Sequence, residues 1–258
     1  MKKEEKKNCT AIVLSAGQGK RMGASVQKQY IELQGKPIIY YTLSVFQKSD
    51  IIDDIILVVG KGQINYVQEE IVRKYHFTKV KTIVEGGHER YASVWQGLNV
   101  RKNDEYYENI EDGYVFIHDG ARPFVDEDIL KTAYETVSEH RACVAGMPSK
   151  DTIKLVDDEQ FAANTPERKY VWAVQTPQVF DMNLIFEAYS RLMREECINV
   201  TDDAMVVEQM MHLPVKLFEA SYENIKITTP EDLDIAQLFL RKKFADKAAE
   251  KTEITIDV

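Results

Sequence analysis

The stretch that most constrains this chain is Ala11 to Lys28, AIVLSAGQGKRMGASVQK, in which a bulky apolar run empties directly into a glycine loop carrying cations. A continuous run around Val13 and Leu14 suits a strand buried on both faces, as in a parallel sheet. Gly17, Gly19 and Gly23 let the loop backbone approach a ligand closely, and Lys20, Arg21 and Lys28 bring positive charge to the same place. The pattern points to phosphate. The alternative at this stage is a strand-to-helix turn whose lysines face water.

Two familiar phosphate loops do not fit. The dinucleotide fingerprint G-x-G-x-x-G fails because the third glycine, Gly23, comes one residue late. The mononucleotide loop fails because Gly19-Lys20 is followed by Arg21 rather than by a magnesium-binding Ser or Thr.

After the loop, strand and helix patterns alternate. Pro37 to Gln47 reads as a helix, Asp54 to Gly60 as a strand and Gln63 to Tyr75 as a helix. Val80 to Val84 reads as a strand, Glu89 to Val100 as a helix, and Tyr114 to Ile117 as a strand ending in His118-Asp119-Gly120. Such alternation predicts an α/β, Rossmann-like, mostly parallel twisted sheet with helices on both faces. Ligands then bind at the carboxyl ends of strands, where the glycine loop, Gly86-Gly87 and Asp119 all fall.

The pattern changes after Arg141. Ala142 to Pro148, Thr152 to Val156 and Tyr170 to Gln175 read as β segments with a turn-prone stretch, Asp157 to Arg168, and no helix between them. This predicts a projecting β-arm over about 148–172 that pairs two chains, because an exposed ribbon leaves unpaired edges. Helical pattern returns at Asp181, with a strand at Val215 to Phe218. Thr229-Pro230-Glu231-Asp232 then opens a helix expected to reach about Phe244. The expected organisation is a solvated leader over 1–8, one domain over 9–244 and a polar tail over 245–258.

Composition narrows the partners. A formal net charge of -9 argues against nucleic acid or an anionic membrane, so an anionic ligand needs a local cationic cluster. The lysine-rich start leads into no long apolar segment with a cleavage-type end. Cys9, Cys143 and Cys197 are far apart without C-x-x-C spacing, which suits a reducing cytoplasm.

Asp119 ends an apolar strand three residues before Arg122, and a carboxylate there suits magnesium when phosphates supply the other oxygens. The competing reading is that Asp119 caps the next turn and Arg122 pairs with it. His118 reads as a structural ring rather than a base. Gly87, with Arg90 and Ser93, precedes a helix whose free N–H groups suit a base edge or phosphate. Thr152, Arg168, Thr176, Thr201 and Lys226 stand near strand ends and together suit a second anion site. No G-x-S-x-G elbow, H-E-x-x-H motif or Cys-His pairing supports covalent or zinc chemistry. A reaction needing cations more than a base fits better. A phosphate monoester, with a second pKa of about 6, is already largely a dianion and can attack an α-phosphorus without a general base.

Taken in order, LSAGQGKRMG, QKQY, GGHERYASV, HDGARPF, KDTIK, QTPQVF, TDDA and NIKITTPEDL resemble the 2-C-methyl-D-erythritol 4-phosphate cytidylyltransferases of the non-mevalonate isoprenoid pathway, from Ala11 to about Leu240. The resemblance implies transfer of CMP from CTP to a small sugar-alcohol phosphate, with Mg2+ or another divalent cation. It implies that Arg21 and Lys28 stabilise the transition state, and that Ala16, Gly17, Gly19, Gly87 and Ser93 hold CTP. Asp119 binds the metal in the same scheme, and Arg122, Thr152, Thr176, Thr201 and Lys226 form the sugar-phosphate site. It further implies a homodimer in which the arm presents Arg168 to the neighbouring active site. The sister ribitol-5-phosphate cytidylyltransferases share the loop and the arm, but HDGARP looks more like the methylerythritol branch than HD-x-V-R does. Ser15 stands where relatives often have alanine, and His88 where some have aspartate. A non-catalytic CTP sensor and a dinucleotide oxidoreductase are the rival classes. The full cation and carboxylate set argues against the first, and the late third glycine against the second.

Overall fold

A computed structural model gives the chain over residues 6–17, 27–107 and 112–254, with side chains through 245. The first half builds β1 (Cys9–Ser15), a small hairpin of β2 (Glu32–Leu33) and β3 (Lys36–Pro37), α1 (Ile38–Lys48), β4 (Asp54–Val59), α2 (Ile64–Val67), β5 (Val80–Glu85), α3 (Arg90–Asn103), β6 (Tyr114–Asp119) and α4 (Glu127–His140). The second half adds β7 (Ala142–Pro148), β8 (Leu155–Val156), β9 (Ala162–Asn164), β10 (Trp172–Asp181), α5 (Met182–Leu192), α6 (Asp203–Met211), β11 (Lys216–Glu219) and α7 (Pro230–Ile254).

Seven strands form one mixed sheet in the order β11-β7-β10-β6-β1-β4-β5. β1 lies between β4 and β6, parallel to both, and only β10 runs antiparallel to its neighbours. The pleat explains why β1 is buried throughout. Cys9, Ala11 and Val13 face a core shared with Leu43 and Phe46 of α1 and Leu130 and Ala133 of α4. Ile12 and Leu14 face a second core shared with Val94 and Leu98 of α3, Ile185 and Ala188 of α5, and Val206 of α6. A Cβ on Gly97 would come within 2.6 Å of Ile12 Cγ2, so glycine there lets α3 sit directly on β1.

Helix starts follow capping chemistry. Asp126, Asp181 and Asp202 each accept a hydrogen bond from a backbone N–H in the first turn of α4, α5 and α6. Asp202, the first acid of TDDA, is therefore committed to a helix end.

Several boundaries differ from the sequence reading. The segment expected to be helical over Gln63 to Tyr75 is α2 followed by a π-helical stretch, Gln68–Arg73. The β pattern from Thr152 shrinks to β8, and the stretch expected as a turn contains β9. These two strands pair as a hairpin closed by Asp157, whose Oδ1 accepts from the N–H groups of Glu159 and Phe161. β10 starts at Trp172 and runs on through Pro177 to Asp181, because a register break against β7 between Val174 and Gln178 accommodates the proline. α7 continues past Phe244 to Ile254, since the Ala, Lys and Glu of that segment favour helix, so the expected polar tail is largely helical.

Candidate active site

The carboxyl ends of β1, β4, β5 and β6 share one edge of the sheet, and a cleft of about 170 Å³ opens there. Its wall includes Ala16, Gly17, Lys28, Gln29, Gly87, Arg90, Ser93, Asp119 and Lys226. A Cβ on Gly86 would meet Ala16 Cβ and Ser93 Oγ at 2.6 Å, so glycine lets the β5 and β1 rims close against each other. Ser93 is buried at the start of α3 and donates to the Glu89 carbonyl at 3.2 Å.

A charge network forms the floor. Arg90 Nη1 and Nη2 donate to the two oxygens of Asp203 at 2.9 and 2.8 Å, and its Nε donates to Asp119 Oδ1 at 3.3 Å. Lys226 Nζ reaches Asp119 Oδ2 at 2.7 Å. Asp203 is fully buried, and its Oδ1 also accepts from the Tyr189 hydroxyl at 2.6 Å. Gln178 Oε1 takes the N–H groups of Asp203 and Ala204, and Gln178 Nε2 donates to Asp202. Burial alone would push the Asp119 carboxyl up, but the charges of Arg90 and then Lys226 outweigh it and hold it well below the usual carboxylate range. Burial likewise opposes the charge of Arg90, and Asp203 followed by Asp119 overcomes it. Burial and then the Asp203 charge push the Tyr189 phenol up, so Tyr189 remains a donor.

His118 lies beneath this floor. Its Nε2 faces the Arg122 carbonyl at 3.1 Å, which can only accept, so Nε2 carries the proton. Its Nδ1 therefore accepts from the Thr176 hydroxyl at 3.1 Å, and Thr176 Oγ1 in turn accepts from the Asp119 N–H at 3.1 Å. Burial lowers the His118 pKa to about 4, consistent with a neutral structural ring. Arg122 does not pair with Asp119. Its Nη1 donates to the Asn224 carbonyl at 2.9 Å, and Asn224 Nδ2 ties that segment to Gln175 and to the Thr176 carbonyl.

The fold gathers Ala16, Gly17, Lys28, Gly87, Ser93, Asp119 and Lys226 around one cleft, with Arg122 on the loop that follows β6 and Thr176 on β10. Lys28 is buried and donates to the Ile227 carbonyl at 3.0 Å. Thr201 faces an adjoining cavity of about 310 Å³ that shares Glu89 and Arg90 with the cleft. Thr152 and Arg168 stand exposed on the ribbon, where Arg168 Nη1 donates to the Lys150 carbonyl at 3.2 Å. Gly19 and Arg21 lie outside the described residues. Ser15 is buried at the end of β1 with its hydroxyl on Tyr30 at 3.0 Å, and His88 is exposed beside Glu89. Sequence reasoning missed the roles of Arg90, Asp203 and Tyr189. The signal available was the doubled acid of TDDA, of which a helix cap needs only one.

Among the described residues, no group of three or more His, Cys, Asp or Glu gathers to hold a metal. Asp119 offers a single ionised carboxylate, which fits a hard divalent cation whose other oxygens come from phosphates and water. No described helix is long and apolar enough to cross a membrane.

Residues 9–242 match the family model described as 2-C-methyl-D-erythritol 4-phosphate cytidylyltransferase. Among proteins of that name, one from Lachnospira eligens is 51% identical, covering 90% of this chain and 99% of its own. Another from Lachnoclostridium phytofermentans is 47% identical, covering 90% and 96%. A crystal structure of 4-diphosphocytidyl-2C-methyl-D-erythritol synthase from Anaerococcus prevotii superposes with a TM-score of 0.77 at 34% identity, covering 91% and 96%. The likeness in sequence and in fold thus extends over nearly the whole length of these relatives, and the chain belongs to the 2-C-methyl-D-erythritol 4-phosphate cytidylyltransferase family.

Proposed function

We propose that the protein transfers the CMP moiety of CTP to 2-C-methyl-D-erythritol 4-phosphate, releasing pyrophosphate and forming 4-diphosphocytidyl-2-C-methyl-D-erythritol. The observation that carries this reading is Asp119, held ionised between Arg90 and Lys226 on the floor of a glycine-rimmed cleft in a chain of this family. A phosphate oxygen of the substrate attacks the α-phosphorus in line. The bond from that phosphorus to the bridging oxygen breaks, and pyrophosphate leaves with the electron pair. The attacking group is already a dianion, so the protein's work is alignment and charge stabilisation rather than proton removal.

In this reading the backbone of Ala16, Gly17, Gly19 and Gly87, with Ser93, holds CTP. Arg21 and Lys28 face the negative charge that grows around the α-phosphorus. Asp119 holds Mg2+, which when bound screens the triphosphate. Lys226 and Arg122, with Thr152, Thr176 and Thr201, orient the sugar phosphate, and Arg168 of the partner subunit completes that site in a cytoplasmic homodimer. His118 takes no part in proton transfer; it keeps Thr176 and the Asp119 backbone in place.

The test is pyrophosphate release from CTP with methylerythritol phosphate or ribitol phosphate as acceptor. Release with the former, lost in Lys28→Ala, supports the reading. Turnover of ribitol phosphate alone would move the chain to the sister activity, and CTP binding without turnover of either acceptor would make it a sensor.

A further inference from the structure

The two oxygens of Asp119 are held by unlike cations. Arg90, on Oδ1, is itself anchored through both Nη groups to Asp203, which is fully buried and fixed by Tyr189 and Gln178. Pulling Arg90 away would leave a buried carboxylate without its counter-charge, which is strongly unfavourable. Lys226, on Oδ2, has Asp119 as its one ion pair among the described residues, and its side chain is 36% exposed. The backbone on either side is tied down. Asn224 bonds to Gln175 and Thr176, and the N–H of Ile227 bonds to the Ala121 carbonyl. Its side chain is therefore free to swing on a fixed stem while Arg90 is not.

We propose that Lys226 is the exchangeable counter-ion of the metal-binding oxygen, and that Arg90 is a positioning residue for Asp119. A divalent cation enters at Oδ2 by displacing the ammonium, while Arg90 keeps Oδ1 and the carboxylate plane in place. The displaced ammonium stays on the cleft wall, where its charge becomes available to the incoming sugar phosphate. Loading of the metal nucleotide and readiness for the acceptor become one event. The inference rests on the proposed reading of the cleft as a CTP site.

The experiment is calorimetric titration of the full chain with CTP, once in EDTA and once in Mn2+, without an acceptor. The ratio of the two Kd values reports what the metal adds. In Lys226→Met, and in Lys226→Gln as a second uncharged variant, the ratio should rise about tenfold, because the metal no longer competes with an ammonium for Oδ2. Lys226→Arg should stay near wild type, and Asp119→Asn should lower the ratio. Lys28→Met removes the same charge from the same cleft without touching Asp119 and should change the ratio far less. An unchanged or smaller ratio in the uncharged Lys226 variants, or an equal rise in Lys28→Met, overturns the exchange. Wild-type chain that binds no CTP overturns the reading of the cleft itself. Pyrophosphate release is not measured here, so loss of turnover and loss of the exchange remain separable.

Discussion

The cleft and the β8–β9 ribbon solve opposite problems. At the cleft, charged groups are buried and every principal one is matched: Asp203 with Arg90 and Tyr189, Asp119 with Arg90 and Lys226. On the ribbon, apolar side chains stand in solvent: Leu155, Val156 and Phe161 are exposed, Phe161 by 68%, and Tyr170, just after the hairpin, by 74%. A chain rarely leaves such a strip of apolar surface on a two-stranded hairpin without covering it. Among the described residues the charges of the cleft floor are matched within one chain, whereas the ribbon leaves apolar side chains exposed, as the proposed pairing of two chains requires.

The sharpest test of that contrast is to disable one region at a time. Lys28→Ala should lower the rate of pyrophosphate release by about 10²–10³-fold without changing oligomeric state, because it removes charge stabilisation aimed at the reacting phosphorus. Arg168→Ala should also lose most activity. Mixing unfolded and refolded Lys28→Ala and Arg168→Ala chains should then restore about a quarter of wild-type activity, since half the dimers are mixed and each mixed dimer has one intact site. No recovery would mean that Arg168 serves its own chain. With the proposed pairing through the ribbon, wild type should sediment as a dimer and Phe161→Asp as a monomer.

Stability should respond at the cleft and not on the ribbon. Asp203→Ala strands a guanidinium that is only 28% exposed and should cost roughly 2–3 kcal/mol, seen as a fall in Tm, while ribbon substitutions stay within about 0.5 kcal/mol for the monomer. The buried His118 adds a pH signature. Its pKa is lowered to about 4 in the folded chain, against about 6.5 unfolded, so the unfolded chain takes up its proton first on acidification. The contribution is full above pH ~6.5 and is lost as pH falls toward 4, a span of roughly 3 kcal/mol. His118→Asn should flatten that slope in urea titrations across the window. Asp119, whose pKa is depressed, adds its own loss only below about pH 4. A smaller effect beside the cleft is Ser15→Ala, about 1 kcal/mol from the lost bond to Tyr30 with little change in rate.

The sequence by itself determined the parallel core and the rim. Apolar runs that empty into glycine or aspartate can be satisfied only as buried strands with their ends at an edge, so β1, β5 and β6 and the placement of Gly17, Gly87 and Asp119 were legible from pattern alone. The motif order carried the family. Only the tertiary structure decided which charges meet. Arg122, three residues from Asp119, turns instead to the Asn224 carbonyl, while Arg90 and Lys226, 29 residues before and 107 after it, close on its two oxygens. Local spacing records which side chains share a turn. Which cation holds a carboxylate depends on where a helix start, a strand end and a distant loop converge, and that is fixed by packing across the sheet.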